Sequence, residues 1–313
     1  MKVMTWNVEN LFRPGQPSAP PSQAVYEAKL KGLAATINSQ APDVLALQEI
    51  GDLDALHDLI ALLDGNWQQR VSSLPDRRGI RVAWLSRHPI THAADISAFP
   101  SPVKPVQADD QGGTEAAMGR GALSITIQSA GTAVHLVTAH LKSKLLTFPG
   151  GRFQPRDEDE RARFAAYALY RRAAEAATLR VAITAVMSGA GQQRPLILTA
   201  DLNDTVQAAT TQMLLGPPGS EIGTPGFERP DQGDAQRLWN LAPLMPEGRD
   251  YSRINHGRRE LIDHILVSAA LVRLISAVEA VTDEPLPSIT GDPTARRAEP
   301  SSDHAPVVAT FDL

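Results

Sequence analysis

Residues 43–49, DVLALQE, are four consecutive apolar side chains and a glutamine, bracketed by an aspartate and a glutamate. A run that short and that apolar reads as a strand covered on both faces, the kind found inside α/β proteins. What surrounds it fits. Upstream, Leu30, Leu33 and Ile37 recur at helical spacing and Pro42 closes that helix. Downstream, Leu53, Leu56, Ile60 and Leu63 predict a second helix, closed by Gly65. Alternation of helix and buried strand is the signature of an α/β fold.

The pattern continues in both directions. VMTW (3–6) predicts a first strand, and the proline-rich stretch from Pro14 to Pro21 cannot be helical. RVAWLS, GALSITIQ and AVHLVTAH predict further strands in a meander. Residues 99–120, rich in proline, glycine and acids, predict a mobile surface loop. DEDERARFAAYALYRRAAEAATLRVAITAVMSG is the longest helical stretch, with acids in its first turn and an apolar seam of Ala176, Leu179, Ile183 and Val186. PLILTAD, LIDHILV and PVVATFD are the closing strands. With no repeat and no clean linker, residues 1–313 read as a single domain.

Composition limits the function. With 42% hydrophobic and 21% charged residues the chain is of the globular class, and no run reaches the roughly 18 apolar residues of a membrane span. A net charge of −5 argues against a histone-like polyanion binder but not against an enzyme with a local basic patch. Zero cysteines remove thiol nucleophiles and cysteinyl zinc sites. The opening MKVMTWNVEN has no signal-peptide pattern, so a cytoplasmic chain is expected, or a secreted form already processed. A monomer is expected.

The chemistry-bearing residues sit at the strand ends. TWNVEN carries Asn7 and Glu9, LALQEI carries Glu49, and AVHLVTAHLKSK carries His140, Lys142 and Lys144. LTADLND carries Asp201, Asn203 and Asp204; LIDHIL carries Asp263 and His264; SSDHAPV carries Asp303 and His304. A carboxylate beside an apolar strand is costly to bury unless it is paired, hydrogen-bonded or bound to a cation. Six such stations exceed what capping explains. Oxygen donors without sulfur suit a hard cation, magnesium or manganese.

In this combination and order the sequence resembles the endonuclease/exonuclease/phosphatase superfamily, over nearly the whole chain. The resemblance implies a four-layered α/β sandwich, two packed mixed β-sheets flanked by helices. It implies a metal site at Asn7 and Glu49 with Asp303 as the other carboxylate, and Glu9 near it. Asp201 and Asn203 match residues that hold the attacking water and a phosphate oxygen. His304 matches the catalytic histidine, Asp263 the acid that orients it, and His140 a second phosphate-contacting histidine; apurinic endonucleases of the superfamily usually have tyrosine there. Arg120 resembles a phosphate-contacting arginine, and HLKSK resembles a stretch in bacterial extracellular-nuclease-like members, which offers Lys142 or Lys144 to the phosphate. A Mg2+- or Mn2+-dependent nuclease acting on nucleic acid by in-line water attack is therefore expected. The alternatives are a phosphomonoesterase or a phospholipid or small-molecule phosphodiesterase with the same centre, and a non-catalytic binding module. Two charged stretches read as solvated: RRAAEAATLR (171–180) as an exposed helix face, and Arg253, Arg258 and Arg259 as loop charges within possible reach of substrate.

Overall fold

A computed structural model describes residues 1–290, 292 and 295–313. Strand β1 (Lys2–Leu11) leads through the proline-rich segment to helix α1 (Gln23–Gln40), capped by the Ser22 hydroxyl and ended by Ala41 in the left-handed conformation just before Pro42. Strand β2 (Val44–Ile50) follows, then α2 (Leu53–Ile60), β3 (Gln68–Val71), β4 (Arg81–Ser86) and β5 (Ile90–Ala98). A two-stranded ribbon, β6 (Val106–Gln107) with β7 (Thr114–Glu115), precedes the long hairpin β8 (Ala117–Ser129) and β9 (Thr132–His140). Helix α3 (Glu158–Met187) begins at Asp157, whose carboxylate accepts the Glu160 amide, and three acids in its first turn complement the helix dipole. Then come β10 (Leu196–Asp201), α4 (Ala209–Leu215), β11 (Leu238–Asn240), the β12 (Arg253–Asn255) and β13 (Arg258–Glu260) hairpin, and β14 (Asp263–Ser268). Helix α5 (Ala269–Val272), β15 (Ile275–Ala280), β16 (Ser288–Ile289) and β17 (Val307–Phe311) complete the chain.

Two six-stranded mixed sheets result, in the orders β15-β17-β1-β2-β4-β3 and β11-β14-β10-β9-β8-β5. Each has one parallel pair, β1 with β2 and β9 with β10, among antiparallel neighbours. The apolar run that opened the reading is covered on both faces. Val44 and Ala46 of β2 pack with Trp84, Ile125, Leu136 and Ile265 between the sheets, whereas Leu45 and Leu47 pack with Leu33, Ile37, Leu56 and Leu59 of α1 and α2. On the far side of the second sheet, Leu198 and Ala200 meet Ala176, Leu179 and Ile183 of α3. The order is helices, sheet, sheet, helices: a four-layered sandwich. Trp84 also donates its indole N–H to the Leu123 carbonyl across the central layer (3.1 Å).

Several local expectations change. RVAWLS lies in the first sheet and the GALSITIQ and AVHLVTAH strands in the second, so the meander is β5-β8-β9 instead. Residues 99–120 hold the β6–β7 ribbon and the start of β8, and Phe99 is buried, so they are not a free loop. Helix α2 stops at Ile60, short of Gly65, because Leu62 and Leu63 already bond back in tight turns. The inner seam of α3 ends on Met187, with Val186 only partly covered. Arg253, Arg258 and Arg259 lie on the β12–β13 hairpin, not in an irregular loop.

Candidate active site

Strand register gathers the polar residues at one end of the two sheets. His140 ends β9, Asp201 ends β10 and Asp263 begins β14; Asp201 faces His140 on one side and Asp263 on the other. In the first sheet Asn7 of β1 faces Gln48 of β2, next to Glu49. Buried Gln48 ties the sheets together by donating to Thr5 and Thr138 (both 3.0 Å). Both strands break register here, β1 between Asn7 and Leu11 and β2 between Leu47 and Ile50. Glu9, Asn10, Glu49 and Asn203 all have positive φ, the left-handed region that non-glycine residues visit at a cost. Such strain collects where a bulge has re-aimed a functional side chain.

Six of these groups are linked directly or through one another. Asn7 Nδ2 donates to Asp201 Oδ2 (2.9 Å) and lies 3.5 Å from Glu49 Oε1. Glu49 Oε2 accepts the Asn10 amide at 2.8 Å. His140 Nε2 is 3.3 Å from Asp201 Oδ2, and Asp201 Oδ1 accepts the Asn203 amide at 2.9 Å. His304 Nδ1 donates to Asp263 Oδ2 at 2.7 Å, and its Nε2 is 3.9 Å from Asp303. The tightest group of ligand atoms among the described residues is Asp201, Asp263 and His304, within 4.8 Å of one another; this buried trio could hold a metal ion. The sequence had pointed to Asn7, Glu49 and Asp303 instead. Asp263 is already committed to His304, which suits the trio to proton handling. Asn7 turns its Nδ2 to Glu49 and Asp201, while its Oδ1 accepts the Glu9 amide at 3.0 Å. Glu9 is held by two hydrogen bonds to Arg296 Nε (3.1 and 3.2 Å) and one to its Nη2 (3.1 Å), and accepts the Asp303 amide.

Electrostatics separates the two histidines. Burial opposes charge on His304, but the carboxylates of Asp263, Asp303 and Asp201 outweigh it and push the imidazole up to about 10. His140 lies well below its ordinary value, through burial first and then the positive charges of Arg120, His304, Arg78 and Lys142. Asp201 is pushed up to about 7, chiefly by burial and then by the Asp263 charge. His140 Nδ1, Arg120 Nη1 and Asp263 Oδ1 are buried with no hydrogen-bond partner among the described residues. With His140 neutral and its Nε2 toward Asp201, the unused donor is the Arg120 guanidinium N–H, which beside an imidazolium makes a setting for an anion.

The lysines of HLKSK do otherwise than expected. Lys142 spends its ammonium on the carbonyls of Ser143 (2.9 Å) and Leu145 (2.8 Å), and Lys144 pairs with Asp204 (3.1 Å). The abrupt charge at the end of β9 fixes a loop. Arg120 lies three residues inside β8 and is held by Asp76 (3.1 Å). RRAAEAATLR is also corrected, because Arg172 and Glu175 are 6% and 1% exposed. Glu175 accepts the amides of Lys142 (2.6 Å) and Gly119 (3.1 Å) and the Arg171 guanidinium; Arg172 donates to Asp204 (2.8 Å) and to the Lys142 carbonyl (3.0 Å). A Cβ at Gly119 would fall 1.4 Å from Arg171 Nη2, so a larger residue there would displace that guanidinium from Glu175. The available signal was phase: Arg172 and Glu175 are each four residues before Ala176 and Leu179 of the buried seam. Arg78 was also missed, and nothing in its neighbourhood of the sequence singled it out.

Comparison with known proteins agrees with this fold. The sequence model of the Endonuclease/Exonuclease/phosphatase family matches residues 4–304. No curated protein matches the chain by sequence. Among solved structures, a family protein from Leptotrichia buccalis superposes with a TM-score of 0.59 at 16% identity over 100% of both chains. The human Nocturnin catalytic domain gives 0.60 at 17% identity, covering 99% of this chain and 94% of that one. The Bacteroides thetaiotaomicron mannosyl-6-phosphatase gives 0.59 at 14% over 100% of both. A family match across nearly the whole sequence, on a sandwich whose strand ends converge on one acid–histidine cluster, leaves one assignment: the chain belongs to the endonuclease/exonuclease/phosphatase family, whose members are hydrolases of phosphoester bonds.

Proposed function

We propose that this phosphoesterase is a divalent-metal-dependent nuclease, working as one catalytic domain on nucleic-acid phosphodiesters. The observation that carries the reading is the geometry around Asp201: His140 Nε2 lies 3.3 Å away on one side, and the hydrogen-bonded His304–Asp263 pair lies within 4.8 Å on the other. Asp201, pushed up to about 7, is matched to accepting a water proton near neutral pH. Asn203 lies beside it, its amide N–H donating to Asp201 Oδ1 and its side chain to the Leu141 carbonyl, so it can fix direction without adding repulsive charge. His304, oriented by Asp263, clamps a nonbridging oxygen or gives its proton to the departing one. Arg120 brings an unused guanidinium N–H to the anion-binding side of the centre.

Glu49 and Asp303 would hold the cation, with Asn7 beside them, since carboxylate oxygens suit a hard ion and the chain has no cysteine. When bound, a magnesium or manganese ion supplies neutralisation of the charge that grows on the phosphate oxygens. The preference for a diester rests on the arginines flanking His140, which a small monoester would leave partly unused.

The test is a substrate panel of plasmid, single-stranded DNA, RNA, p-nitrophenyl phosphate and sphingomyelin vesicles, with Mg2+ or with EDTA. Nicked plasmid or shortened strands with Mg2+ or Mn2+, abolished by EDTA and by Glu49→Gln, is the expected outcome. Ready hydrolysis of the monoester or lipid with nucleic acid intact would replace the nuclease by the phosphatase or lipid alternative. Full activity in excess chelator would remove the metal.

A further inference from the structure

The segment between β3 and β4, both strands of the first sheet, reaches over to the second sheet beside the candidate centre. Its Leu74 carbonyl accepts the Gly121 amide of β8 at 2.9 Å. Asp76 organises the crossing: Oδ1 accepts the amides of Arg78 (2.8 Å) and Ile80 (3.0 Å), and the Asp76 amide donates to the Ile80 carbonyl at 2.8 Å. The other carboxylate oxygen takes Arg120 Nε at 3.1 Å and lies 3.7 Å from Arg78 Nε. One carboxylate therefore aligns two guanidiniums and leaves a net positive charge. Arg120 is the inner member, with Nη1 buried and unused. Arg78 is the outer member, with 48% of its side chain exposed. Its Nη1 is 3.5 Å from Asn10 Oδ1, and the Asn10 amide donates to Glu49. The pair thus spans from the Glu49 side of the centre to the His140 side, and both arginines act electrostatically on His140.

From this geometry we infer that Arg78 and Arg120, aligned by Asp76, form an anion subsite that takes a second phosphate next to the scissile one in a polynucleotide. The inference rests on the phosphodiesterase reading and narrows its substrate class to chains with consecutive phosphates. A fork of guanidinium donors suits a phosphate better than a lysine's point charge would. Asp76 keeps that fork set before the substrate arrives, which lowers the ordering cost of binding.

The test uses chromogenic diesters in both directions: the 5′-(p-nitrophenyl phosphate) of thymidine with and without a 3′-phosphate, and the 3′-(p-nitrophenyl phosphate) with and without a 5′-phosphate. Wild-type protein with Mg2+ or Mn2+ should favour the phosphate-bearing member of one pair by about tenfold or more in kcat/KM, the scale of one charge-assisted contact. Arg78→Ala should bring that ratio close to one, Arg78→Lys should keep part of it, and Asp76→Asn should lower it while both arginines remain. Arg78 is a half-exposed side chain, and circular dichroism checks that each variant is folded. A wild-type ratio near one, or an Arg78→Ala protein that keeps the wild-type ratio, overturns the subsite alone. A wild-type protein that cleaves none of the four esters overturns the phosphodiesterase reading, and the subsite with it.

Discussion

His140 and His304 carry the same ring, are both buried, and both neighbour Asp201, yet their surroundings push them in opposite directions, His140 down and His304 up. The difference is in the second neighbour: three carboxylates surround His304, whereas Arg120 and Arg78 bear on His140. In metal-free protein, NMR titration of the imidazoles should place His304 near 10, with Asp263→Asn returning it toward its ordinary value of 6.5. The sign follows from the raised value: the His304–Asp263 pair stabilises the fold fully below pH 6.5 and loses that contribution as pH rises through about 10. His140 should stay neutral throughout the neutral range, and a His140 that protonated above pH 7 would sink this assignment. The strand-end positions of Asn7, Glu49, His140, Asp201, Asp263 and His304 were legible because a polar residue closing an apolar run is visible in sequence. Their protonation was not, since it depends on Arg120, Arg78 and Asp303, which arrive from other elements. The same holds for Lys142, whose ammonium finds carbonyls only once the loop has closed around it.

At the scale of elements, one turn of α3 sets three strand ends at once. Glu175 joins the Gly119 amide, next to Arg120, to the Lys142 amide, two residues beyond His140; Arg172 joins that same loop to Asp204, next to Asn203. Glu175→Gln replaces one accepting oxygen by an NH2 that must face a backbone N–H, leaving a buried donor unpaired at about 1–3 kcal/mol. A lower Tm is expected, together with a kcat loss of about tenfold or more that exceeds any change in KM, because the turn holds groups used at the reacting phosphate. A kcat equal to wild type in the destabilised variant would reduce Glu175 to packing. Periodicity made the helix legible, but an Ala-rich tract with arginines at both ends looks solvated until its phase is compared with the seam of Ala176, Leu179 and Ile183. The β6–β7 ribbon and the short strands β3, β11 and β16 were not legible, since two to four residues carry no period.

Over the whole molecule, the alternation of buried strands and amphipathic helices gave the α/β class, but not the division into two sheets. Val44 and Leu45 look alike in sequence, and only the fold sends one to the central layer and the other to α1 and α2. The two sheets matter because the proposed function needs both: Asn7 and Glu49 come from the first, and His140, Asp201 and Asp263 from the second. The net charge of −5 implies that attraction to a polyanion is local, so the salt dependence of binding should be shallow, about one unit of slope per phosphate contacted. The most direct measurement is the single-turnover cleavage rate of an end-labelled DNA strand at saturating Mg2+, for wild type against Asp201→Asn. The asparagine keeps the shape but cannot take a proton. The rate should fall at least about a hundredfold while DNA binding changes little, as expected when a general base is lost; a folded Asp201→Asn protein that cleaves at the wild-type rate would contradict the account.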